Sequence, residues 1–370
     1  MEGACRQRLA LAEMISHSSV SLTPVVVMDD SFAEQLPEDV QVYEADPDVV
    51  DVLAAKLYGD GSVLTKAEAQ KYAEDIAWMV ANAPEPYKSL FLKYLPMLEF
   101  YDTTSGAMLN PLSRAIHIDL TTLADDMPAP YHTFFHEFGH QIDLYENISG
   151  YMKFPLNWET SGFEYDGADG QPHSIEEYLS MDADASIAKI LATKFPGIDK
   201  DQADRVRDAI MNTNPNFLNG WVIGDSGYPD FNQPPLTGSD ADAFDRLRSY
   251  YKRSDVLGNN VAQTASDCIS AMTGSKITGS YGHASYYWLA PEATGFPEKE
   301  FWAGYFADNM TNRRELADLA APNTVIGGAT SSTANLYKRM TLGMTGLDAT
   351  KALFPGASAA AAAMAKEMAK

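Results

Sequence analysis

The chain has 370 residues, 45% of them apolar, enough to bury a large core and to build one big domain plus a smaller one. A formal net charge of −24 excludes nucleic acid and anionic membrane surfaces as partners, since both would meet repulsion instead of counterion release. Cys5 and Cys268 are the only cysteines, too few for a disulfide framework or a thiolate metal site, and no apolar run reaches the roughly 18 residues a membrane span needs.

The opening residues, Met1 to Arg8, lack the long apolar core of a secretion signal, which gives the expectation of an intracellular or virion-delivered protein. Residues 1–105 read as a separate, mostly helical region of unknown role, with one short strand at Val25-Val26-Val27-Met28. Within it, Thr65-Lys66-Ala67-Glu68 has the spacing of a capping box and leads into a helix over 69–83, stopped by Pro84 and Pro86. Ala115-Ile116-His117-Ile118-Asp119-Leu120 then alternates and predicts a half-buried strand. Placed at a cleft edge, such a strand could pair with an extended peptide.

Chemistry enters at Phe135-His136-Glu137-Phe138-Gly139-His140-Gln141-Ile142-Asp143. Residues four apart share one face of a helix, so His136 and His140 can offer two imidazole nitrogens to a single tetrahedral metal, with Glu137 beside them. Phe134, Phe135, Phe138, Ile142 and Tyr145 gather on the opposite side and predict a stripe packed into a core, while Pro128 and Pro130 mark the helix start. The competing reading is two histidines and a glutamate on a solvated helix face. Asp143 has two readings of equal weight: a partner for the second nitrogen of a ligating imidazole, or an ordinary exposed helix aspartate.

Residues 147–173 are rich in Gly, Asp, Asn and Pro and read as a long loop near the site. Ser174-Ile175-Glu176-Glu177 is a second capping box, opening a helix to about Lys194, and a further helix follows near 201–211. Residues 212–238 form a long connection that reads as a functional flap, an insertion or a disordered segment, and Trp221, Tyr228 and Phe231 within it favour an ordered flap. Helices over 242–252 and 261–272 precede a turn region at 274–282, and Pro297 opens a helix over 297–310. The Ala-rich end is a terminal helix. The domains expected are therefore 1–105, 106–355 and the C-terminal helix 356–370, in a helix-rich α+β fold whose active-site helix lies next to a small mixed sheet.

Catalytic zinc takes three protein ligands and leaves a fourth position open. Glu146, Glu176, Glu177, His132 and His283 are all candidates for the third. Glu300 is favoured, because Ala303, Gly304 and Ala307 share its helix face and would let another helix approach closely. Its competing reading is an exposed helix-start glutamate that favours the macrodipole.

The run from His136 to Tyr145, together with Glu300-Phe301-Trp302-Ala303-Gly304-Tyr305-Phe306, resembles the zincin fold of the anthrax-lethal-factor-like metallopeptidases. Residues 267–274, with Tyr281-Gly282-His283 and Ser285-Tyr286-Tyr287-Trp288, are similar to metallopeptidase-like domains attached to phage minor head (head morphogenesis) proteins. The resemblance covers roughly residues 110–355, and the N-terminal hundred lie outside it. It implies a zinc metalloendopeptidase in which His136, His140 and Glu300 bind Zn2+ and Glu137 is the general base. It also implies a tyrosine that stabilises the oxyanion; an insertion before Glu300 departs from the family spacing, and Tyr281 and Tyr287 are both candidates. The partners implied are a peptide or protein substrate and phage head or portal proteins, with a cytoplasmic or virion-associated location. A phage head or assembly protein carrying an accessory or degenerate zincin domain is the alternative.

Overall fold

The computed structural model describes residues 43–59, 62–103, 107–110, 113–125, 130–146, 150–153, 157–160, 164–166, 172–211, 234–251, 273, 276–277 and 296–311. The expected strand at Val25–Met28, the flap at 212–233, the helix at 261–272, Tyr281, Tyr287 and the terminal helix lie outside these residues. The chain divides into two compact units, and the division falls inside a single helix, after Phe138.

The first unit opens with α1 (Pro47–Leu57), capped by the Asp46 carboxylate, which accepts from the Asp48 N–H at 3.0 Å. Val50, Leu53 and Leu57 fall on one face at helical spacing and are buried where α1 packs on α2 (Lys66–Asn82). The capping box forms as its spacing predicts: Thr65 Oγ1 accepts from the Glu68 N–H at 3.2 Å and Glu68 accepts from the Thr65 N–H at 2.8 Å. Its helix ends at Asn82, ahead of Pro84. Next, α3 (Tyr87–Tyr94) buries Leu90 and Phe91.

Strands β1 (Phe100–Asp102), β2 (Ala107–Leu109) and β3 (Ile116–Ile118) form a mixed sheet in the order β1-β3-β2, with β3 parallel to β1 and antiparallel to β2. Ile116 and Ile118 are buried and His117 points to the other face, where it stacks on Tyr101 at 5.2 Å between ring centroids. The alternation therefore places a half-buried strand correctly, but not at an edge. β3 is the centre of the sheet, with its backbone groups engaged on both sides, and cannot take up a peptide by strand addition. Alternation reports which side chains are buried and carries no information on which neighbours a strand has.

One helix, α4 (His132–Glu146), carries the histidine motif. Tyr131, in the left-handed region at φ 61°, sets its start: the Tyr131 N–H donates to the Leu123 carbonyl at 2.8 Å, and its own carbonyl accepts from the Phe135 N–H at 3.1 Å. The Tyr131 hydroxyl donates to Asp75 of α2 at 2.8 Å. Phe134, Phe135 and Phe138 pack around Phe91 of α3, the closest ring at 4.6 Å, and Phe134 also meets Phe100 of β1. Each such burial stabilises by roughly 1.5–3 kcal/mol. Tyr145, expected on the same stripe, is only half-buried, since it lies in the last turn.

In the second unit, two hairpins replace the loop expected over 147–173: β4 (Gly150–Lys153) with β5 (Asn157–Thr160), and β6 (Glu164–Asp166) with β7 (Pro172–Ser174), both antiparallel. Strands of three or four residues are too short for alternation to register. From Ile175, directly after Ser174, α5 runs to Lys194; α6 (Lys200–Met211) and α7 (Ser239–Tyr251) follow and pack in sequence. Arg207 of α6 pairs with Asp184 of α5, and Arg205 with Asp240 of α7. Finally, α8 (Phe296–Met310) is buried along nearly its whole length, including Glu298, Glu300 and Asp308. Among the described residues, no helix is long and apolar enough to cross a membrane.

Candidate metal centre

The aromatic stripe turns the opposite face of α4 outward, and His136 and His140 sit on it, half-buried, one turn apart. Glu137 follows His136 and is only 6% exposed. Across from this face stands Glu300, in the first turns of α8 and 5% exposed. The exposed-glutamate reading of Glu300 is thereby overturned, because α8 is a core helix with no solvent side at that position.

One ligand atom from each of His136, His140 and Glu300 lies within 4.8 Å of the other two. His140 Nε2 stands 3.4 Å from Glu300 Oε2. That distance fits two arrangements, an imidazole–carboxylate ion pair and two ligands of one ion. Two ligands on a tetrahedral zinc with bonds of roughly 2.0–2.1 Å stand about 3.4 Å apart. A buried carboxylate also costs several kcal/mol unless a cation faces it. Two imidazoles and a buried carboxylate meet both needs of a divalent ion, a nitrogen and oxygen donor set and a compensating negative charge.

What lets the two helices meet is a small-residue contact. Gly139, between Glu137 and His140, has no Cβ; one placed there would meet the Cα of Ala303 at 3.0 Å and its carbonyl oxygen at 3.3 Å. The indole of Trp302, fully buried, donates to the Gly139 carbonyl at 2.9 Å. The expected small face on α8 is therefore used at Ala303, while among the described residues nothing lies within 4 Å of the place a Cβ would take at Gly304. Trp302 and Gly139 escaped notice in the sequence; a glycine inside a helical motif, costly to helix stability, was the available signal.

Among the described residues the other third-ligand candidates do not join the group: Glu146 is half-buried and Glu177 exposed. His132 is buried one turn before His136, its ring 6.4 Å from that of His136. The Glu176 side chain and His283 lie outside the described residues. Asp143 is 2% exposed, against the reading of an ordinary surface aspartate. Near it, burial pushes the Lys299 ammonium below its ordinary value, opposed by the charges of Asp143, Glu300 and Glu298.

Known proteins add nothing to this geometry. No protein-family model matches the chain, and no curated protein or solved structure does.

Proposed function

We propose that the protein is a zinc-dependent metalloendopeptidase of zincin type, with His136, His140 and Glu300 as metal ligands. The observation that supports this reading is the approach of these three donors, two of them one helical turn apart, to within 4.8 Å of one another. Zinc, when bound, supplies Lewis acidity at neutral pH.

Glu137, on the same helix and largely withdrawn from solvent, takes the proton of the attacking water and returns it to the leaving amine. Tyr281 or Tyr287 donates a hydrogen bond to the oxyanion in this scheme. The substrate is a peptide or protein, and the resemblance to head-morphogenesis domains makes phage head and portal proteins the first to test.

Metal analysis of the purified protein beside its Glu300→Ala variant tests the ligand set. Equimolar zinc in the parent and a clear loss in the variant are expected, and equal content in both would remove Glu300. Glu137→Gln is expected to keep its zinc and lose peptide cleavage; retained turnover refutes the assigned role. Stoichiometric zinc with no cleavage of any peptide library, and co-purification with head components, would favour a non-catalytic assembly protein instead.

A further inference from the structure

We propose that Trp302 is a positioning residue for the metal centre: its indole N–H holds α8 in the one register on α4 that brings the Glu300 carboxylate to His136 and His140. The proposal rests on the metal-centre reading above. Two contacts between α4 and α8 flank the ligands. Gly139 immediately precedes His140, and Trp302 and Ala303 follow Glu300 by two and three residues.

Those two contacts do different work. The Gly139–Ala303 approach removes side-chain bulk and brings the helices close, and it carries no directional bond of its own. A slide by one residue is about 1.5 Å along the helix axis, while metal coordination tolerates only about 0.2 Å. A hydrogen bond has a direction and a fixed length, so it stops the slide. Within α4 the Gly139 carbonyl is already the acceptor for the N–H four residues on; Trp302 takes its second lone pair at 2.9 Å. The bond joins residues 163 apart in sequence and is fully buried, so water does not compete for it.

A tryptophan that merely fills space and satisfies its N–H would matter to folding stability alone. Positioning predicts more. In the full-length protein, Trp302→Phe removes the donor while keeping an aromatic ring, and 3-benzothienylalanine at 302 keeps the bicyclic shape with sulfur in place of N–H. Zinc affinity is read by competition against a chelator, and site geometry by the visible absorption of the cobalt(II)-substituted protein.

Both variants are expected to bind zinc at least about tenfold more weakly than the parent and to shift the cobalt spectrum. If Trp302→Phe does not fold, the benzothienylalanine protein decides. Parental zinc affinity and an unchanged cobalt spectrum in that protein overturn the proposal. A parent that binds no zinc, or a Glu300→Ala variant with parental affinity, would be a separate result that overturns the metal centre itself and the positioning role with it.

Discussion

Two glycines near the candidate centre behave oppositely once their surroundings are compared. A Cβ at Gly139 meets the Ala303 backbone at 3.0 Å, whereas one at Gly304 meets nothing within 4 Å among the described residues. Gly139→Ala is therefore expected to destabilise by about 1–3 kcal/mol through forced separation of α4 and α8, and to weaken zinc binding. Gly304→Ala is expected to stabilise by about 0.5–1 kcal/mol, the usual gain from removing glycine from a helix interior. Urea denaturation of both variants checks the pair; the same sign at both positions would contradict the close approach.

Lys276 offers a second test at this scale. Its ammonium is 2% exposed and donates to the Ile210 carbonyl near the end of α6 at 2.7 Å, and burial pulls its pKa from 10.5 down to about 8. Below pH 8 the folded protein carries a buried cation. Between pH 8 and 10.5 the folded state has released that proton while the unfolded chain still holds it, so stability rises with pH across this window. The rise amounts to about 3 kcal/mol. Lys276→Met abolishes it: the stability of the parent relative to this variant is expected to climb by that amount from pH 8 to pH 10.5, measured by urea unfolding at both values.

Among the elements, α4 is decisive, because it has two faces with different tasks. The phenylalanine face anchors it to α3 and β1, and the histidine face carries two of the candidate metal ligands. Phe138, wholly buried and 4.6 Å from the Phe91 ring, is the centre of that anchor. Phe138→Ala is expected to cost about 3–5 kcal/mol, and to lower zinc affinity only as far as the fold is lost. Calorimetry with and without zinc separates the two effects. In α8 the sequence pattern suggested one small-residue face; burial along nearly the whole helix instead makes Glu300 a charged group inside a core. A carboxylate in such a place is costly unless cations or hydrogen-bond donors face it.

For the whole molecule, the metal should act as a ligand of the folded state alone. Zinc at a thousandfold excess over its dissociation constant is expected to add about 4 kcal/mol of stability. A chelator should reverse the gain and Glu300→Ala should abolish most of it, both visible as shifts in Tm. An identical Tm with zinc and with chelator would argue against a site built only by folding.

The parts of this protein that its sequence determined are those governed by neighbours within one turn. The capping box at Thr65 and Glu68, the starts of α5 and α8, and the shared face of His136 and His140 all follow from contacts three or four residues apart, which any local stretch of chain displays. Tertiary structure alone decided that β3 is a central strand, that 147–173 pairs into hairpins, and that Glu300 meets His140 while Trp302 grips the carbonyl beside it. Each of those depends on which distant surfaces pack together, and packing is chosen by the shape and free energy of the whole chain, not by the spacing of residues along it.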